Sequence, residues 1–286
     1  MRDTIPRLNA AFSLMNAVAH SSTFAARSCP LCGSTGNRQS LLRRDPWEIV
    51  ECAECSMVFI GAEIPYRVQA VEHDWEEEWR KDTIRRKREQ PVMVFLSRVT
   101  RPLLPHTHGR LLSQTLHYVR SGKLVDFGCS DASFLVRAQK YFQVTGIDLS
   151  PRSVEIARRR VGAEKIIEGP VTEAAERRLL SNEFDVVTQL GFIEHDWQPQ
   201  SALRAAHRVL KPGGITVIKT PNYASWNRAI RGEKWCGYRF PAHVNYFTPE
   251  TLAKMLRQCG FEPVPRPWWD RLPTSDSLWM AARKLA

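Results

Sequence analysis

The stretch Leu124-Val125-Asp126-Phe127-Gly128-Cys129-Ser130-Asp131-Ala132, running on into Ser133-Phe134-Leu135-Val136, decides the fold. A short apolar run with one acidic residue enters a turn of small side chains, and an apolar helical pattern follows at once. A backbone turn this tight needs residues with little or no side chain. Working outward, β-rich runs at 123–127, 144–148, 184–189 and 215–220 alternate with helix-length segments at 133–141, 151–161 and 201–210. Lys211-Pro212-Gly213-Gly214 ends the last of these helices and turns into the next strand. Such alternation predicts an α/β fold, a doubly wound and mostly parallel sheet covered by helices, with a last strand near 278–283.

Asp148 stands 20 residues beyond Gly128, at the carboxyl end of the second predicted strand. An acidic side chain there can accept hydrogen bonds from ribose hydroxyls. The turn lacks the Gly-x-Gly-x-x-Gly pattern that holds a pyrophosphate at a helix N-terminus. Asp131 would repel a diphosphate, yet it suits a ligand whose amino-acid end carries an ammonium group. These features describe a nucleoside pocket without a diphosphate.

The region resembles the class I S-adenosylmethionine-dependent methyltransferases. Their first motif is matched by Asp126, Gly128, Ser130 and Ala132, with Ser130 and Ala132 standing where two of three glycines are expected. The likeness continues through Asp148-Leu149-Ser150-Pro151, Phe184-Asp185-Val186-Val187 and Arg208-Val209-Leu210-Lys211-Pro212-Gly213-Gly214, and covers the chain from Lys123 onward. It implies a Rossmann-like sheet of seven strands, S-adenosylmethionine as methyl donor, and Asp126, Gly128, Cys129, Ser130, Asp148, Leu149, Val171 and Gln189 as cofactor-binding residues. Where family members place a polar residue for the adenine amine, Glu168-Gly169-Pro170-Val171 offers Pro170, which leaves backbone groups at Val171 or the Thr172 hydroxyl. Any position among 130 and 132 that requires φ > 0 is expected to be strained.

Ligands of doubly wound sheets gather at the carboxyl ends of strands. Gln189-Leu190-Gly191-Phe192-Ile193-Glu194-His195 occupies that end of the fourth strand, and Glu194-His195 looks like a Glu-His pair common in this family. Further on come Thr220-Pro221-Asn222-Tyr223, Gly232-Glu233-Lys234-Trp235-Cys236-Gly237-Tyr238 and Pro241-Ala242-His243-Val244-Asn245-Tyr246-Phe247, then Thr248-Pro249-Glu250-Thr251-Leu252. The aromatic density suggests a lid over substrate, and Thr248 can cap a helix with Pro249 in its first turn. This stretch resembles bacterial methyltransferases of sugars and secondary metabolites, on which His243 is the first candidate for general base and His195 the second. A structural role for either histidine is the competing reading.

Nearer the N-terminus, Cys29-Pro30-Leu31-Cys32 and Cys52-Ala53-Glu54-Cys55 are separated by 19 residues, the spacing of a closed four-cysteine zinc site. So small a module cannot bury enough apolar surface alone, and a structural Zn²⁺ would supply the missing free energy. The alternatives are unligated thiols or a redox pair. Cys129, Cys236 and Cys259 are isolated and read as small buried hydrophobes. A four-cysteine module also occurs on sugar C-methyltransferases that carry a further C-terminal domain. This chain ends soon after its last predicted strand, so transfer to a hydroxyl oxygen is the simpler expectation.

The domains expected are a leader over 1–27, a zinc-ribbon module over 28–65, a charged helical connector over 66–121 and the methyltransferase domain over 122–286. In the leader, 8–19 is mildly apolar and ends in Ala17-Val18-Ala19, like a signal-peptidase site, but Asn9, Ser13 and Asn16 dilute it. A cytoplasmic location is expected, since zinc-binding thiols need a reducing compartment. No uncharged run is long enough to span a membrane. The 41 Lys and Arg against 30 Asp and Glu leave a formal charge of +11, which suits an anionic or nucleotide-linked small-molecule acceptor or nucleic acid. A zinc ribbon, this charge and a ridge at Arg85 to Arg88 beside Trp75 and Trp79 keep open an RNA base methyltransferase. The missing glycines keep open a non-catalytic cofactor-binding scaffold.

Overall fold

A computed structural model describes residues 25–44, 47–62, 84, 88, 107–240, 242–265 and 273–285. Most of the leader and the connector, including Trp75 and Trp79, lie outside the described residues; of the arginine ridge only Arg88 is described, helical and exposed.

The larger half is built on β4 (Gly122–Phe127), β5 (Phe142–Asp148), β6 (Ile166–Glu168), β7 (Phe184–Leu190), β8 (Leu210–Pro221), β10 (Phe261–Pro263) and β11 (Ser277–Lys284), ordered β10-β11-β8-β7-β4-β5-β6. Parallel pairing joins β6, β5, β4, β7 and β8 in turn, while β11 pairs antiparallel with both β8 and β10. Only β11 therefore runs against the rest. Leu124 through Phe127 are all buried, as expected of a central parallel strand covered on both faces. The strand order reverses beside β4, so the crevice between β4 and β7 lies at the switch point of the sheet.

Each helix has a sequence reason for its place. α3 (Pro151–Val161) starts where the Ser150 hydroxyl accepts from the Ser153 amide at 3.3 Å, buries Val154, Ala157 and Val161, and stops at Gly162 with φ 109°. α5 (Pro199–Val209) buries Ala202, Leu203, Ala205, Ala206 and Val209 in one stripe. α7 (Pro249–Gln258) begins at the anticipated Thr248 cap, which forms a reciprocal box with Thr251. The helix expected over 133–141 is shorter, α2 at Leu135–Ala138, because the turn before it continues through Phe134. Tetrapeptide 211–214, read as a turn, is carried within β8, with a register break opposite β7 between Phe184 and Val186. Along the rest of the chain lie α1 (Thr107–Tyr118), α4 (Val171–Arg178) and α6 (Trp226–Arg231). No helix among the described residues is long and apolar enough to cross a membrane.

The cysteine half forms a separate antiparallel sheet of β1 (Arg38–Arg44), β2 (Trp47–Cys52) and β3 (Val58–Ile60), completed by β9 (Asn245–Tyr246) from the larger half. Val58 pairs with Tyr246 and Phe59 with Asn245. Leu31, Val50, Met57 and Phe59 share one apolar core with Phe127, Ile147, Ile193 and Phe247.

Candidate active site

At the end of β4 the chain turns through Gly128 (φ 73°), Ser130 (φ 48°) and Ala132 (φ 60°). A Cβ on Gly128 would sit 2.9 Å from the Phe192 ring, so glycine is required there on both conformation and space. The two positions where glycine is replaced are left-handed, and both non-glycine residues bear the strain foreseen from the sequence. Gly128 and Cys129 both donate their amides to Ile147 O, at 2.9 and 3.0 Å. The Cys129 thiol lies against Gly146 and is buried, which leaves backbone atoms as what Cys129 can offer a ligand.

Asp148 closes the other side. Its two oxygens accept from the Ser130 amide at 2.7 Å and the Ser150 amide at 2.9 Å, so this carboxylate clips the turn to the end of β5. Each oxygen retains further lone-pair capacity, enough for a pair of hydroxyl donors. Burial raises the Asp148 pKa above the ordinary carboxylate value. Asp126 lies wholly within the sheet, accepts from the Thr188 hydroxyl at 2.7 Å, and is pushed up to about 7 by burial and then by the charge of Asp148. Leu149 is half-buried beside Asp148. Gln189 is fully buried at the end of β7 and donates to Thr216 at 3.3 Å, while its Oε1 has no partner. Val171 begins α4, whose N-cap Pro170 supplies no side-chain acceptor for the first-turn amides. Asp131, expected to meet an ammonium group, is instead held by Ser133 and Arg160.

The two candidate histidines meet. His195 and His243 stand ring to ring at 4.7 Å, nearly perpendicular, and Glu194 joins them: one ligand atom from each of the three lies within 4.8 Å of the others. His195 Nδ1 lies 2.8 Å from Ala242 O and His243 Nδ1 2.7 Å from Gly237 O. A carbonyl only accepts, so each Nδ1 carries a hydrogen. His243 is 4% exposed, and burial followed by the neighbouring His195 holds its pKa well below the usual imidazole value. Glu194 is 2% exposed, its pKa raised by burial against the opposing pulls of Lys219, the Thr220 hydroxyl and Arg239. The Glu194 carbonyl accepts from the Val244 and Asn245 amides at 2.8 and 3.1 Å, which fixes the two loops against one another.

The aromatic stretch is a wall, not an open lid. Tyr223, Trp235, Tyr238 and Tyr246 pack with Trp47, Ile49 and Ile60 into a core of the four-stranded sheet, and Trp235 Nε1 donates to Asp276 at 2.8 Å. Apolar rings facing the ribbon are better buried against it than left over solvent. Two cavities border this wall and the ribbon. One of about 670 Å³ is lined by Arg27, Val171, Thr172, Asp196 and Trp197, and one of about 570 Å³ by Glu51, Tyr223, Arg228, Thr248 and Lys254.

The four ribbon cysteines converge, with Sγ–Sγ separations of 3.5 Å for Cys29–Cys55 and 3.6 Å for Cys32–Cys52. Sulfurs on a tetrahedral zinc at ~2.3 Å would stand about 3.8 Å apart, so the donor set fits that ion and is too wide for disulfides. Burial pushes the Cys29 thiol up to about 11 in the metal-free set.

Three participants escaped sequence reasoning. Glu194 was quoted only as the neighbour of His195; nothing in the sequence places its side chain beside His243. Phe192 gives no signal beyond its hydrophobicity. Arg27, assigned to the leader, is buried under Trp197 and donates to Val244 O, Trp197 O and Asn245 Oδ1 at 3.1, 2.7 and 3.0 Å.

Compared with known proteins, residues 101–265 match a family described as a methyltransferase domain. A ubiquinone biosynthesis O-methyltransferase from Cereibacter sphaeroides is 30% identical over 172 residues, covering 57% of this chain and 70% of the relative. One of the same description from Ruegeria pomeroyi is 32% identical over 154 residues, covering 50% and 61%. Among solved structures, an S-adenosylmethionine-dependent methyltransferase from Archaeoglobus fulgidus superposes with a TM-score of 0.50 at 16% identity over 68% of this chain and 100% of that one. At that identity the likeness is one of fold.

Proposed function

The chain belongs to the methyltransferase-domain family and is an S-adenosylmethionine-dependent methyltransferase; from that premise we propose that it methylates a hydroxyl oxygen of a small molecule of the sugar or secondary-metabolite type. The observation that carries the reading is the convergence of Glu194, His195 and His243 at the carboxyl end of β7, beside the turn that follows β4. The relatives named as O-methyltransferases support oxygen as the acceptor atom.

When bound, S-adenosylmethionine supplies a methyl group already activated on a sulfonium. The residues present fit it. Backbone atoms of Gly128, Cys129 and Ser130 line the turn, and Asp148 has lone-pair capacity for the ribose hydroxyls. Leu149 would pack beside them, the uncapped first turn at Val171 would offer amides to the adenine, and the unpartnered Gln189 Oε1 would offer an acceptor. Asp126 acts from beneath, holding the strand end through Thr188. The protein must then align the acceptor oxygen with the methyl carbon and remove its proton. His243 takes that proton on the ring nitrogen not held by Gly237 O, and Glu194 balances the imidazolium that forms. His195 orients the acceptor beside it. Zn²⁺ held by Cys29, Cys32, Cys52 and Cys55 is structural, for a closed four-sulfur set leaves no open coordination position.

Labelled methyl transfer into fractionated cell extract tests the reading. Label in small molecules, lost with His243→Ala while S-adenosylmethionine affinity is kept, is the expected result; label in RNA, or turnover retained in that variant, would overturn it.

A further inference from the structure

The cavity of about 570 Å³ at the seam between the ribbon and α7 shares no residue with the cofactor turn or the histidine cluster. We propose that it binds a small zwitterion of the free amino-acid class, a molecule that carries both a carboxylate and an ammonium group. The inference stands apart from the methyl-transfer reading and gives the chain a further ligand.

Three parts of the chain line the space. β2 and β3 contribute Glu51 and Val58, the segment after β8 contributes Tyr223 and, from α6, Arg228, and the start of α7 contributes Glu250 and Lys254. Two carboxylates and two cations therefore border one cavity, with Glu51 and Arg228 half-buried and Glu250 and Lys254 exposed. None of these four side chains makes a hydrogen bond or an ion pair among the described residues. Opposite charges around a partly desolvated space attract across it and close into pairs unless they are held apart. Even Glu250 and Lys254, four positions apart on one helix, stay separate at a spacing where such side chains pair.

Arg228 is the fixed member of the set. Its guanidinium lies over the Tyr223 ring, 4.2 Å from the centroid, and its Nε is buried with no partner. Stacking of this kind holds the planar fork in place with its donors unused, which makes a seat for a carboxylate. A buried donor left unsatisfied is costly and calls for an acceptor. Glu51, carried on β2, does not supply it. A simple anion in the cavity would meet Glu51 and Glu250, and a simple cation would meet Arg228 and Lys254. One molecule with both charges satisfies the whole lining, its carboxylate on the Arg228 fork and its ammonium toward Glu51. Val58 and Tyr223 form the apolar part of the wall, and the volume lies within the range of small-ligand sites.

The test titrates L-phenylalanine onto the full chain with its ribbon zinc in place, followed by saturation-transfer NMR. Its single-charge analogues, 3-phenylpropionate and 2-phenylethylamine, run beside it. Expected are saturable binding of phenylalanine and affinity about tenfold or more weaker for either analogue. Arg228→Gln should weaken phenylalanine and 3-phenylpropionate alike, whereas Glu51→Gln should bring phenylalanine down to the level of 3-phenylpropionate. If Arg228→Gln fails to fold, Glu51→Gln and the two analogues on the native chain decide. No saturable binding at roughly 10 mM would overturn the site. So would 3-phenylpropionate binding as tightly as phenylalanine, which describes a plain anion site, or phenylalanine binding that neither variant changes, which places it elsewhere.

Discussion

Replacing Ser130 by glycine should stabilise the protein, whereas replacing Ala132 by glycine should not. Both residues sit at positive φ, 48° and 60°, where an L-residue with a Cβ costs about 1–2 kcal/mol. Glycine removes that strain but widens the unfolded ensemble, returning roughly 0.4–1 kcal/mol of the gain. Ser130 is exposed, so nothing else changes there, and the net is about 0–1.6 kcal/mol in favour of the variant. At about 2–4 °C per kcal/mol for a chain of this size, Tm should rise by roughly 2 °C, and by no more than about 6 °C. Ala132 is 0% exposed and packs in the core with Phe134 and Leu135. Deleting its methyl forfeits about 0.8 kcal/mol of burial, with a small cavity added, so the second variant should be neutral or less stable. Thermal and urea denaturation of the two variants beside the native chain would measure the contrast. A lower Tm for Ser130→Gly, or a larger rise for Ala132→Gly, would refute the claim that backbone strain is stored in this turn.

Other expectations can be checked with the same preparations. Metal analysis should find one zinc per chain, lost in Cys32→Ser, and metal-free protein with an unchanged fold would exclude a structural ion. Asp126 titrates at about 7 in the folded protein against 3.8 ordinarily, so the native state binds more protons between those values and stability falls as pH rises through them. Asp126→Asn removes that dependence; denaturation at pH 5 and pH 8 should show the variant gaining on the native chain at the higher pH. Thr248→Ala breaks the capping box of α7 and should cost about 1 kcal/mol in urea denaturation, with the Thr251 amide losing its acceptor.

How much of this was legible depended on which interactions are local. The strands from 122 to 221 and α3, whose bounds match the reading residue for residue, follow from periodicity and caps that lie within a few positions of each other. The glycine deficit at 130 and 132 was equally readable, because φ is a property of one residue and its neighbours. The four cysteines declared themselves by spacing. What the sequence withheld was contact between distant segments. Asp131 looked available to a ligand until Arg160, a turn beyond the middle of α3, was seen to hold it. The aromatics between 223 and 246 have the composition of a lid, and only the position of the ribbon strands makes them a core. Glu194 gains its significance from His243, which reaches it because β9 is drawn to β3.

That last pairing connects the two halves of the molecule. A zinc ribbon appended for binding alone would need no strand from its neighbour. Here Ile60 donates its amide to Val244 O at 3.0 Å, and Arg27 bonds the same carbonyl and the Asn245 side chain. Both contacts fall within two residues of His243. The backbone of that segment is thus held from the ribbon side by Ile60 and Arg27 and from the β7 side by Glu194, while the side chain is held by Gly237 O. A catalytic or ligating group must be kept within about half an ångström of its working position, and loops alone rarely achieve this. The four cysteines supply the rigidity by fixing the turn that leads into β3, between Cys52 and Met57, whose amide and carbonyl are joined at 2.9 Å. The physical role of the ribbon is then to brace the loop that carries His243.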